Sequence, residues 1–307
     1  LSPESPSAAT LNSIAQTHQA YASLMQRAVA KSTINASTAP IASQRPEIDI
    51  NSESAEITSG KGQPETPQAP ALKDTGFSPY MKPKKSSGAL APEGMVPNTG
   101  LEPNLGGSLL YAGELDEPGR ILTVAANIAG AATLAASAQS ATLRNAQQEG
   151  VIDFLVNSLD EAVRILKNEI RKHQPVAVAV SIAPEVVIKE MFDRGLLPDL
   201  LPQLNPSSSS EFAAFVAQGA QPLATPPLEP GCKLYIWPIA VEFTRRPAEF
   251  DTLFLRHLPP GDHFNRRWLR LSPRYLGPAA RRLRSVACDA ETASSLMSAF
   301  GEPLFSS

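Results

Sequence analysis

The segment Gly113-Glu114-Leu115-Asp116-Glu117-Pro118-Gly119 sets two glycines around three carboxylates, just after the apolar run Ser-Leu-Leu-Tyr-Ala at 108–112. A glycine-bearing turn between a strand and a helix is what a phosphate needs. Glycine lets the backbone come close, and the helix N-terminus offers free amides. Gly113, Glu114 and Gly119 are therefore candidate cofactor-binding residues. Three more candidates follow later apolar runs: Asn157 and Ser158 after Val-Ile-Asp-Phe-Leu-Val, and Ser181 after Val-Ala-Val-Ala-Val. Ligands of open parallel sheets bind beyond the carboxyl ends of the strands, which is where these residues fall. No residue is assigned as a catalytic acid, base or nucleophile.

A second chemistry is carried by arginine. Residues 245–284 hold ten arginines against Glu249, Asp251 and Asp262, with Trp268 and Tyr275 interleaved. Guanidinium groups grip phosphates and carboxylates and stack on rings. Arg266, Arg267, Arg270, Arg281, Arg282 and Arg284 are candidate anion-binding residues, for an anionic ligand, a protein partner or a nucleic acid. The competing reading is a solvated helix face whose arginine stems cover the core. His257, Asp262 and His263 match no metal-ligand spacing, and no metal site is expected. Cys232 and Cys288 form no disulfide framework and read as reduced thiols of a cytoplasmic protein. As a nucleophile either would need a positioned histidine, which the sequence does not supply.

The elements that must position these groups are legible in the middle of the chain. Runs at 108–113, 131–136, 151–156, 176–182 and 196–201 read as strands, with helices between them. Ser158 and Glu161 form a capping box. Behind it Leu159, Ala162, Val163, Leu166 and Ile170 make one apolar stripe, and His173 lies at the negative end of that helix. Strand and helix alternating every 20–25 residues or so imply crossover connections and a mostly parallel sheet with helices on both faces. The run at 121–137 is apolar nearly throughout. It reads as a helix closed by Gly130 and then a buried strand.

Around this α/β core, residues 1–31 read as a short amphipathic helix, with Leu11, Ile14, Tyr21, Leu24, Met25 and Ala28 near one face. Such a helix on a tether either meets a partner helix or stays exposed. Residues 32–105, rich in Ser, Pro, Thr and Ala, read as a disordered linker. Residues 106–205 are the expected Rossmann-like domain, and 206–307 a smaller α+β extension packed on it. The net charge of −3 across 307 residues argues against nucleic acid. No apolar run of about 18 residues suggests a membrane span. No basic segment followed by an apolar one suggests a leader peptide. The expected partner is a small molecule or another protein, with self-association left open.

Several motifs, in order, resemble the Rossmann-like domain of the urocanase (urocanate hydratase) family. They are Ala125-Ala126-Asn127-Ile128-Ala129-Gly130-Ala131, Gly150-Val151-Ile152-Asp153, Ser158-Leu159-Asp160-Glu161-Ala162, and Arg194-Gly195-Leu196-Leu197-Pro198-Asp199. The resemblance spans about residues 122–201. It implies a lyase of histidine degradation that uses NAD as an electrophile. The chain departs from the family where that chemistry is done. The glycine cluster is reduced to Gly113 and Gly119, and Asp116 and Glu117 stand where the pyrophosphate would approach. The acidic residue expected at the end of the second strand is replaced around Ala136-Ser137-Ala138, and Leu-Leu-Pro-Gln-Leu-Asn-Pro follows the Pro-Asp corner. The expectation is a divergent, non-catalytic ligand- or partner-binding module. The alternatives are an active urocanase-like lyase, an NAD-dependent enzyme, or anion binding through the arginines.

Overall fold

The computed structural model describes residues 6–38, 102–202, 210–223 and 231–306. Two sheets organise them. The first is parallel and six-stranded, in the order β3-β4-β2-β1-β5-β6. Its strands are β1 (Leu109–Glu114), β2 (Ala132–Ala136), β3 (Phe154–Val156), β4 (Val176–Val180), β5 (Leu200–Leu201) and β6 (Gln221–Pro222). The second is antiparallel, in the order β8-β7-β9, made of β7 (Lys233–Pro238), β8 (Leu283–Cys288) and β9 (Phe305–Ser306). This is the Rossmann-like α/β architecture read from the sequence, with the smaller α+β part after it.

Side-chain alternation along the strands decides which helix covers which face. In β4, Val176, Val178 and Val180 join one core cluster, while Ala177 and Ala179 join the other. The valine face receives α4 (Leu159–Arg171), α5 (Pro184–Asp193) and α6 (Ser210–Ala217). The alanine face receives α2 (Glu117–Ala129) and α3 (Ser140–Gln148). Right-handed crossovers demand this division, because α2 and α3 connect strands running toward one edge and α4 to α6 connect strands running back. Leu166, on the expected stripe, is 2% exposed. The capping box forms as well: Ser158 Oγ accepts the Glu161 amide at 3.3 Å, and Glu161 Oε2 accepts the Asn157 amide at 3.2 Å.

Several expectations are corrected. The strand at 151–156 shortens to β3, an edge strand whose Phe154 is 46% exposed, because Val151 and Ile152 turn in to pack beneath α2 and α3. The run at 196–201 pairs only at β5. The parallel sheet continues through α6 and β6, past the boundary expected at 205. Pro238 ends β7, and the chain continues in a 3-10 turn at Val241–Phe243. The arginine-rich stretch forms α8 (His263–Tyr275) and then β8.

The largest correction is at the N-terminus. Helix α1 (Ala8–Thr38) is neither short nor exposed. Ile14, Tyr21, Leu24, Met25 and Ala28 are buried in the same cluster as α2 and α8. The face read from the sequence is right, and it meets this chain itself. Tyr21 Oη donates to the Phe264 carbonyl at 3.0 Å, and Lys31 Nζ to Ser108 Oγ at 2.8 Å. Residues 32–38 continue the helix, and Leu105 is buried. Glu102, Pro103 and Asn104 are described as well, and residues 39–101 of the expected linker lie outside the described residues. Beyond the sheet, α7 (Pro247–Arg256) and α9 (Ala290–Phe300) enclose Trp237, Phe250, Phe254 and Leu296 against β7 and β8.

His18 lies inside the α1 interface at 1% exposure, edge-on to Phe264 and Trp268 with ring centroids at 5.3 and 4.8 Å. Its Nε2 is buried without a hydrogen bond. Burial lowers the imidazole from 6.5 to about 3. The unfolded chain therefore binds the extra proton between those values, so the contribution of neutral His18 is complete above pH 6.5 and is lost as pH falls toward 3. The expected acid sensitivity is at most about 1.4 kcal/mol per pH unit across that window. Denaturant unfolding between pH 7 and 4 should show this slope in the natural chain and a flatter one in His18→Leu.

Candidate functional site

The carboxyl ends of the parallel strands carry the sequence-derived candidates, and β1 is the strand between the two halves of the sheet. After β1 leaves for β2 on one side, the chain later returns to place β5 on the other. Ligands of open α/β sheets bind at such a reversal. Gly113 takes φ 80° and sits at a break in the β1–β2 register, with open space where a side chain would project. Glu114 follows as the last residue of β1.

Helix α2 then begins in a way that closes its own N-terminus. Asp116 is the N-cap, and its Oδ1 accepts the Gly119 amide at 2.9 Å. Pro118 has no amide hydrogen. The Arg120 amide is already bound to the Asp116 carbonyl at 2.9 Å. Of the first-turn donors only the Glu117 amide remains, flanked by the side chains of Glu114, Asp116 and Glu117. Gly119 itself is a packing glycine, since a Cβ there would collide with the Glu114 carbonyl oxygen. These residues do not fit a bound pyrophosphate: a single first-turn donor is left and the nearby charge is negative.

The other candidates are spread along the rim. Ser181 follows β4, with its amide on the Val156 carbonyl at 2.9 Å. Asn157 and Ser158 follow β3 and build the cap of α4. β3 is three strands from β1, about 14 Å at the usual spacing of neighbouring strands. Gly113, Glu114 and Gly119 therefore form one locus, and Asn157, Ser158 and Ser181 another. Between them Tyr111 donates from Oη to the Pro184 carbonyl at 3.1 Å, its hydroxyl pushed above the usual range by burial and by Glu185 and Glu114.

The arginines have largely internal partners. Arg267 is buried and donates from Nε to the Ile128 carbonyl at 2.7 Å, closing the C-terminus of α2. Arg266 donates to the carbonyls of Leu255, Leu258 and Pro259 at the end of α7. Arg270 pairs with Glu102 at 2.8 Å. Arg284, 3% exposed, holds Asp251 through two nitrogens at 2.5 and 3.0 Å. Only Arg281 and Arg282 of the six stay exposed with no ion pair among the described residues. Of the six expected anion-binding arginines these two remain free of internal ion pairs, while helix C-termini and partly buried carboxylates engage the other four.

His257 stacks edge-on against Phe300 and meets Ser295 Oγ at 3.1 Å, while Asp262 caps α8. Among the described residues no three His, Cys, Asp or Glu side chains are placed to hold a metal ion. No helix among them is long and apolar enough to cross a membrane. The Cys288 thiol is pushed up to about 12, by burial first and then by Asp289, Cys232 and Asp262, so it is no thiolate nucleophile.

With this geometry in hand, comparison with known families is decisive for the scaffold. Residues 98–212 match the urocanase Rossmann-like domain. The matched span encloses every motif that carries the resemblance and ends inside α6, so β1 to β5 and the helices between them are the urocanase-like part. The docked α1, β6 and the antiparallel β7–β9 unit lie outside it. The sequence left open whether α1 meets a partner helix, and did not say which. One signal pointed to α2: its run at 121–129 is apolar or small nearly all round, which a helix covered on one side alone would not need, and Thr123–Ala129 are buried without a break.

If Gly119 serves close packing in the urocanase-like domain, Gly119→Ala should destabilise it by about 1–3 kcal/mol, as overpacking does. Gly113→Ala, whose side chain would point into open space, should show only the smaller cost of a positive φ. Equilibrium unfolding of the two variants side by side checks this order.

Proposed function

We propose that this protein is a non-catalytic binding module built on a urocanase-like Rossmann domain. The observation that carries the reading is the closed N-terminus of α2. Asp116 occupies the amide of Gly119, Pro118 removes another donor, and three carboxylates surround the one that is left. A urocanase-type hydration needs the nicotinamide held at this end of the sheet, and the pyrophosphate is the part that holds it. The candidate polar residues also fall into two separate loci, which speaks against a single assembled reaction centre. Cys232 and Cys288, neither of them in a disulfide, are in keeping with a reducing, cytoplasmic setting. Titration of NAD into the full chain by calorimetry should show no saturable binding up to about 1 mM, a very weak affinity. Urocanate absorbance should stay constant when the chain and NAD are added. Tight NAD retention together with urocanate loss would restore the lyase reading.

A second, compatible reading concerns a partner carrying negative charge. Arg281 and Arg282 remain exposed beside β8, next to the turn where Ile239 donates its amide to the Arg282 carbonyl at 2.7 Å. They would meet carboxylates or phosphates of another protein. Reversing both charges to Glu should change stability by less than about 0.5 kcal/mol, as for exposed residues generally. It should remove salt-dependent association in a pull-down at low ionic strength. Persistence of that association would assign it elsewhere.

A further inference from the structure

We propose that a cleft between α1 and the first turns of α8 and α9 binds a small molecule with an apolar body and an ammonium head. The cleft has a volume of about 610 Å³ and lies within the size range of ligand pockets. Its wall is apolar, with Met25, Val29 and Phe264 prominent, and Val29 is 52% exposed at the opening. Its charged lining is acidic, with His263 beside Asp262. Asp262 and Asp289 both line it, and no Lys or Arg does. Asp262 is fixed by the amide and the side-chain nitrogen of Asn265 at 2.9 and 2.7 Å. Asp289 accepts the Thr292 amide at 2.8 Å, and hydrogen bonds from Thr292 hold its carboxyl below the usual range, so it is charged.

Two helices begin here, and their dipoles alone would favour an anion. Each is already capped by its own aspartate, so the net charge presented is negative. Cys288 reports the resulting field. It is 6% exposed and reaches the cleft wall, and among the described residues its thiol has no hydrogen-bond partner. The charges of Asp289 and Asp262 oppose its ionisation, after burial itself. A field that disfavours a thiolate at this wall disfavours a carboxylate or phosphate ligand and favours a cation. The apolar wall then selects for a hydrocarbon body in place of a bare metal ion, in keeping with the absence of a three-ligand metal group among the described residues. A flat, short amine fits the volume, and the carboxylates that line the cleft can receive its head. None of the strand-end candidate residues lines the cleft, so this inference goes beyond the proposed function and does not depend on it.

The test uses the full chain at pH 8 and phenethylamine as probe, with 3-phenylpropionate as the anion carrying the same ring on a similar chain. Calorimetry should give saturable binding of the amine, with the carboxylate roughly ten-fold weaker or worse. Asp289→Asn keeps a side chain that caps helices well and removes the charge. It should weaken the amine roughly ten-fold. Val29→Lys, at an exposed position, brings a competing ammonium to the opening and should weaken it too, which keeps the test intact if the first variant fails to fold. The inference is overturned if phenethylamine does not bind, if 3-phenylpropionate binds equally well, or if a folded variant leaves amine affinity unchanged. NAD binding at the strand ends would overturn the proposed function and leave this result as it stands.

Discussion

Helix α2 is the constraint on which the rest of the described structure depends. Its residues Thr123–Ala129 are buried without interruption, between the alanine face of the parallel sheet on one side and α1 and α8 on the other. Both ends of this helix are closed by the chain itself, although its first turn reaches solvent at Asp116, Glu117 and Pro118. Asp116 caps the beginning. At the other end Gly130 takes φ 97°, and Arg267 donates to the Ile128 carbonyl from a helix that belongs to the C-terminal part. The guanidinium lies so close that a Cβ on Gly130 would meet its Nη2 at 2.8 Å. The small residues of α2 and of the sheet face beneath it permit this three-layer packing, since Ala against Ala brings a helix and a sheet close together.

The same enclosure bears on function. A Rossmann-like domain that binds a dinucleotide leaves the first helix N-terminus open to the ligand. Here that N-terminus is part of the internal hydrogen bonding, and its acidic residues suit the helix dipole in the way that a phosphate otherwise would. Stability and phosphate binding compete for the same amides, and in this chain the fold has them. The arginines follow a parallel logic. A guanidinium that closes the end of α2 or α7, or that holds Asp251 in a partly buried pair, is engaged within the fold.

Much of the parallel sheet was legible in the residues because each element carried its own boundary signals. Ser158 and Glu161 marked the start of α4, Pro184 the start of α5, and Gly130 the end of α2. The urocanase resemblance was legible for the same reason, since its motifs sit on those boundaries. Where signals depended on remote partners, the reading failed. Nothing local distinguishes Arg267, a buried cap, from Arg282, an exposed side chain; only the three-dimensional position of the Ile128 carbonyl does. Phe154 looked like a core strand residue because its neighbours are β-branched, yet β3 lies at the sheet edge and its pairing stops after three residues. The apolar stripe of α1 was visible, but a stripe does not say what covers it.

The position of α1 along the chain has a kinetic consequence. Tyr21 and Phe264, joined by a hydrogen bond, are separated by 243 residues. Closing a loop of that length has an entropic cost that grows only slowly with length, so the contact is thermodynamically tolerable. On a ribosome, however, α1 emerges before α8, and its docking surface is incomplete until α8 has been made. At synthesis rates of roughly 5–20 residues per second, the apolar face of Tyr21, Leu24 and Met25 waits for ten seconds or more before its partner exists. Helix α1 thus waits for a partner made some 243 residues later, and for that interval the nascent chain displays a sticky amphipathic segment that a chaperone would recognise.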